Sequence, residues 1–195
     1  MKKIAYIIPG FKESSLRQSG YKKIAGYLKE KGIESIQVEI DWKYETPARF
    51  KDFLAQFLNQ YKRPKKDTEV YLVGFSFGAV TAFLAEAKIK PKALILCSLS
   101  PYFKEDLMKM RPSWQKWFER NMTESVYSFD ELASAISTKT FLIVGDQEDI
   151  ECTRRARGAK RKITNSSLFI ARGAKHNVSQ QEYLKAVERV VQSLN

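Results

Sequence analysis

The sequence predicts an α/β chain, a three-layer α/β/α sandwich around a mostly parallel sheet, and three observations carry the prediction. Runs of β-forming residues alternate with helical periodicities along the chain. Most of the strand-like runs are continuously apolar, the pattern of strands covered on both faces, where a half-solvated antiparallel sheet would alternate cleanly. The length of 195 residues suits one well-buried core, and the apolar fraction of 44% is that of a globular protein. Residues 1–195 are therefore expected to form a single domain, without internal repeats or biased tracts.

The elements follow in order. "KIAYII" (3–8) is the first strand, and Tyr21, Ile24, Ala25 and Leu28 mark a helix over 20–31 that stops at Gly32, a residue suited to the left-handed position beyond a helix end. After the strand "SIQVEI" (35–40), Thr46 and Pro47 make an N-cap and first-turn pair for a helix with Phe50, Phe53, Leu54, Phe57, Leu58 and Tyr61 on one face. "EVYLVG" (69–74) precedes a helix over 79–88, and "KALILCS" (92–98) is the fourth strand. A short insert, about 100–138, then holds Trp114, Trp117 and Phe118 at i, i+3 and i+4, a shared helix face. That face could line an acyl pocket, but packing onto the sheet is the favoured reading. Ser128 and Glu131 form a capping box with Tyr127 and Leu132 placed as a hydrophobic staple. "TFLIVG" (140–145), a helix near 152–162 and "SLFIA" (167–171) follow; Ser179 and Glu182 form a second capping box opening a last helix with Tyr183, Leu184, Val187, Val190, Val191 and Leu194 inward.

The formal net charge is +12, concentrated at "KRPKK" (62–66) and "RRARGAKRK" (154–162). Such a field attracts anionic partners, although a solvated surface that keeps the protein soluble is the favoured reading. Neither cluster is interleaved with aromatic residues for base stacking, so no specific nucleic-acid binding is predicted. The apolar run of "MKKIAYIIPG" ends at Pro9, too short for a signal sequence, and no stretch approaches the roughly 20 apolar residues of a membrane span. Cys97 and Cys152 fit reduced thiols in a cytoplasmic protein, with a disulfide between them left open.

Within "YLVGFSFGAV" (71–80), a strand stops at Gly74, one serine stands between two Phe and two Gly, and a helical pattern begins at once. A strand-to-helix turn this sharp forces Ser76 into strained backbone geometry, and the flanking glycines remove side chains that would collide with neighbouring elements. Ser76 then stands at the carboxyl edge of the sheet, and the helix N-terminus offers the N–H of Phe77 to a developing oxyanion. A nucleophilic serine needs a base, and the one histidine, His176 in "ARGAKHNVSQ", follows the last strand at the same edge. The third member is a carboxylate of "FLIVGDQEDIE"; Asp149, 27 residues before His176, is the first choice, with Asp146 and Glu148 as alternatives.

With the elbow "GFSFG", the acid loop "VGDQED", the histidine loop "GAKHN" and "IIPGF" after the first strand, the chain resembles an α/β-hydrolase over nearly its whole length. The resemblance implies the triad order Ser76, Asp149, His176 and an α/β-hydrolase fold with minimal or no lid. Relatives often have His-Gly where this chain has Pro9-Gly10, and their loop supplies the second oxyanion N–H, here Phe11 or Lys12. Relatives also place the acid three residues after the strand-ending glycine, and here the third position after Gly145 is Glu148 and the fourth Asp149. Phe75, Phe77, Phe11 and Tyr102 are pocket candidates.

Other chemistries fit the sequence less well. One His and two scattered Cys cannot build a four-ligand zinc site, the acidic 146–151 segment lacks the EF-hand pattern, and no phosphate-binding glycine motif occurs. The expected activity is attack on a carboxylic ester or thioester, a small-molecule acyl substrate, with no metal or organic cofactor; the same triad cleaves amides and peptides. The rival expectation is a non-catalytic scaffold that binds an anionic partner through its basic surface.

Overall fold

A computed structural model describes residues 1–42, 49–122 and 127–194. In chain order the elements are β1 (Lys2–Ile8), α1 (Ser19–Glu30), β2 (Glu34–Gln37), α2 (Phe50–Gln60), β3 (Thr68–Phe75), α3 (Phe77–Ile89), β4 (Ala93–Cys97), α4 (Lys104–Leu107), α5 (Pro112–Asn121), α6 (Phe129–Ala135), β5 (Lys139–Gly145), α7 (Ile150–Lys162), β6 (Ser166–Ala171) and α8 (Gln181–Gln192). The sheet order is β2-β1-β3-β4-β5-β6, and every neighbouring pair is parallel. The Thr46–Pro47 helix start lies outside the described residues.

The continuous apolar runs have a direct structural cause. Successive side chains of a strand point to opposite faces, and here both faces are covered. Ala5, Ile7, Tyr71, Val73, Ile95 and Ile143 pack under α1 and α8, while Tyr6, Ile8, Leu72, Leu94, Leu96 and Leu142 join the core that contains the apolar residues of α2 and α3. That is the expected three-layer sandwich. β2 is shorter than its sequence pattern: Glu34–Gln37 pair with β1, and the Val38 N–H makes a further bond to Ile7 O at 2.9 Å just past the strand's end. Among the described residues no helix is long and apolar enough to cross a membrane. Cys97 and Cys152 are both buried and free.

The two capping expectations part company. Ser128 does cap α6, accepting the Glu131 N–H at 3.3 Å. The Ser179 expectation is corrected: α8 begins at Gln181, and Ser179 Oγ accepts the N–H of Gly20 at 3.1 Å, tying the last loop to α1. At α6 the first-turn N–H groups of Phe129 and Asp130 are taken by Glu105, at 2.9 and 3.3 Å, and Ser128 Oγ also donates to it. Burial raises the Glu105 carboxyl, but these hydrogen bonds outweigh it and hold the group at about 2, below its ordinary 4.5. Since the folded-state value is depressed, the stabilisation is complete above about pH 4.5 and fades as pH falls toward 2. In Glu105→Gln, the urea midpoint should fall at neutral pH and lose part of its wild-type drop over that acid window; an unchanged pH profile would refute the role.

Candidate active site

The strand order places β1 and β3 side by side, with the chain leaving β1 toward β2 on one side and returning to β3 on the other. Crevices at such reversals, outside the carboxyl ends of the strands, are where open α/β sheets bind ligands. Five loops meet there, carrying Phe11 after β1, Ser76 after β3, Ser98 to Tyr102 after β4, Glu148 after β5 and His176 after β6.

The elbow has the geometry its glycines imply. Ser76 stands between β3 and α3 at φ 55°, ψ −118°, in the left-handed region that side chains avoid. Its N–H donates to Cys97 O at 2.9 Å, and its own carbonyl accepts from Ala79 and Val80. A Cβ on Gly78 would lie within 3.0 Å of the carbonyl oxygens of Ile8 and Pro9, and one on Gly74 would meet the Gly78 carbonyl. The sharp turn is thus possible only where β1 and α3 approach over bare backbone.

Ser76 Oγ lies 3.0 Å from His176 Nε2, and His176 Nδ1 lies 2.6 Å from Glu148 Oε2. The expectation of Asp149 as the histidine's partner is corrected here. Asp149 is the N-cap residue just before α7, its carbonyl accepting the Cys152 and Thr153 N–H groups, and its carboxylate is 44% exposed and paired with Arg111 at 2.9 Å. Asp146 is drawn off as well, accepting the Gly173 N–H at 2.7 Å and so fixing the turn before His176. Glu148 reaches the ring from one residue earlier in the chain, with its side chain wholly buried.

Glu148 is held from behind by groups that sequence reasoning did not single out. Its Oε1 accepts the Gly145 N–H at 2.6 Å and the Ser98 hydroxyl at 2.7 Å. Ser98, itself at φ 50°, is 2.6 Å from the hydroxyl of Tyr183, which lies 3.1 Å from Ile143 O. Both residues are buried, and burial is the main cause that pushes the Tyr183 hydroxyl well above its ordinary range. The histidine loop is fixed by the Gln180 side chain, which accepts from Lys175 N and donates to Gly173 O, and the ring sits 4.9 Å from that of Phe75.

These groups open on a cavity of about 300 Å³, at the small end of ligand sites, lined by Phe11, Phe75, Phe77, Tyr102, Trp114 and Trp117 beside Ser76 and His176. All four aromatic pocket candidates are in its wall. Packing is the favoured reading for the Trp114, Trp117, Phe118 face, and all three do pack on the core of the α2 and α3 side, but two of them also face the cavity. Trp114 and Trp117 line the cavity from α5, whereas Phe118 is buried against the Tyr102 ring. The polar lining is Glu13, Ser100, Asp149 and Cys152. Ser100 Oγ is 3.1 Å from Ser76 Oγ. Glu13 closes the loop that bears Phe11: its N–H donates to Gly10 O with Lys12 at φ 58°, and its carboxylate accepts from Gly10 N and from the Tyr21 hydroxyl. Phe77 is the first residue of α3, so its N–H has no partner within the helix.

A parallel sheet with a strained serine at the third strand and a histidine after the last defines the α/β-hydrolase fold. Solved structures agree: Est1E from Butyrivibrio proteoclasticus is 18% identical with a TM-score of 0.79, over 98% of this chain and 86% of that one. MGS-MChE2, an α/β hydrolase enzyme from the metagenome of lagoon sediments at Mar Chica, is 18% identical with a TM-score of 0.73, over 98% of this chain and 90% of its own. The α/β hydrolase domain-containing protein 10 from mouse gives 12% identity and a TM-score of 0.73, over 97% and 88%. Among curated proteins no sequence matches. Residues 18–195 match the model of the VirJ family, described as bacterial virulence protein, and the chain belongs to that family.

Proposed function

We propose that this chain is a serine hydrolase that cleaves a carboxylic ester or thioester through an acyl-enzyme on Ser76. The observation that carries the reading is the unbroken line from Ser76 Oγ to His176 Nε2, 3.0 Å, and from His176 Nδ1 to Glu148 Oε2, 2.6 Å. His176, neutral with its proton on Nδ1, accepts the Ser76 proton on Nε2 as Oγ attacks the carbonyl carbon. Glu148 holds that tautomer and stabilises the imidazolium that forms. The carbonyl oxygen becomes an oxyanion facing the Phe77 N–H and the loop of Phe11 and Lys12. Collapse expels the alcohol or thiol with the proton from Nε2, and water then attacks the acyl-enzyme by the same steps in reverse.

Because the Ser76 hydroxyl points its proton at Nε2, Ser100 is the donor in the Ser76–Ser100 hydrogen bond, which holds Oγ in the attacking rotamer. The aromatic wall suits a compact apolar or aromatic acyl group. Est1E has also been solved with ferulic acid bound, at 16% identity to this chain.

Labelling with a fluorophosphonate, read by intact mass, tests the proposal. One adduct is expected on the wild type and none on Ser76→Ala. A well-folded wild type that takes no adduct would refute the enzyme and favour a scaffold for anionic partners, whose binding would fall with salt and survive Ser76→Ala.

A further inference from the structure

One group at the site has no part in acyl transfer. Cys152, 2% exposed, projects from the first turn of α7 into the wall of the cavity. The Cys152 sulfur, a Glu148 carboxylate oxygen and a His176 ring nitrogen all lie within 4.8 Å of one another. The histidine side chain is 39% exposed, so the cluster has a path to solvent.

We propose that Glu148, Cys152 and His176 form an inhibitory site for a divalent cation of the zinc class. A sulfur, an imidazole nitrogen and a carboxylate oxygen are the donors such an ion prefers, and three protein ligands leave a fourth position for water from the cavity. Zinc bond lengths in a tetrahedron put the donors about 3.3–3.6 Å apart, so side-chain movements of about 1 Å close the site. The site differs from the closed four-ligand centre that the composition excludes, for Cys97 belongs to the core on the α1 and α8 face.

Bound at Nδ1, the ion takes the place of the proton shared between His176 and Glu148. Cys152 releases its proton to solvent, and the histidine proton moves from Nδ1 to Nε2, so one proton leaves per ion bound. The ring then presents N–H to Ser76 Oγ, where catalysis needs a lone pair, and Glu148 is occupied by the metal. The carboxylate that would orient the base becomes, with the neighbouring thiol, the means of switching it off.

Cobalt(II) titrated into the untagged chain should give a thiolate charge-transfer band that saturates at one ion per chain, is displaced by zinc and is missing from Cys152→Ser. Zinc should slow fluorophosphonate labelling of Ser76 at least about tenfold, reversibly with a chelator, and leave the labelling rate of Cys152→Ser unchanged. No band, a band that survives in Cys152→Ser, or equal slowing of variant and wild type would overturn the site. The band needs no turnover. A chain that binds cobalt through Cys152 but never takes the label would therefore refute the hydrolase and keep the cation site, while zinc-insensitive labelling would do the reverse.

Discussion

Glu148→Gln should lower kcat/KM on an activated aryl ester on the order of 10⁴-fold, the scale reached when a triad carboxylate becomes an amide. The size follows from the groups behind the carboxylate. Gly145 N–H and the Ser98 hydroxyl both donate to Oε1, so the glutamine oxygen must take that position. Its NH2 then faces His176 Nδ1, 2.6 Å away in the wild type. An amide N–H can only donate, which turns Nδ1 into an acceptor and moves the ring proton to Nε2, so Ser76 loses its base. The fold should be unaffected, because the glutamine keeps the shape and both rear hydrogen bonds. Asp149→Asn, one position away, should stay within about tenfold of wild type, since an exposed ion pair such as Asp149–Arg111 contributes at most about 1 kcal/mol. Equal losses in the two variants would sink the assignment of Glu148.

That one-residue difference marks where the sequence stops being legible. The strands could be read because burial on both faces leaves a local trace: β3 and β5 fall within a residue of their apolar runs. The elbow and the single histidine could be read because strain and chemistry each restrict residue type. The acid could not, because three carboxylates crowd the four positions 146–149 and the choice depends on where α7 begins. The count of three from Gly145 pointed to Glu148, and Asp149 opening a helix, the habit of an N-cap residue, was the local sign against it. Other features leave no local trace at all. Ser179 satisfies a backbone group 159 positions away on Gly20, and Trp114 reaches the cavity only because the loops after β1, β3 and β4 converge beneath α5.

The elbow supplies the second large effect, and it separates two reasons for a glycine. Gly78→Ala should destabilise the protein by about 3 kcal/mol or prevent folding, since its Cβ would press on the Ile8 and Pro9 carbonyls, which are backbone and cannot rotate away. Relief requires β1 and α3 to separate. That shift would carry the Phe11 loop away from Ser76, so activity should be lost even in any folded fraction. Gly26→Ala is the control: it lies within α1, a Cβ there meets nothing within 4 Å, and the change should stabilise by about 0.5–1 kcal/mol through helix propensity. Thermal unfolding reads both, at about 2–4 °C per kcal/mol for a chain of this size. If Gly78→Ala melted no lower than wild type, β1 and α3 would not be in backbone contact, and the strained geometry at Ser76 would have lost its cause.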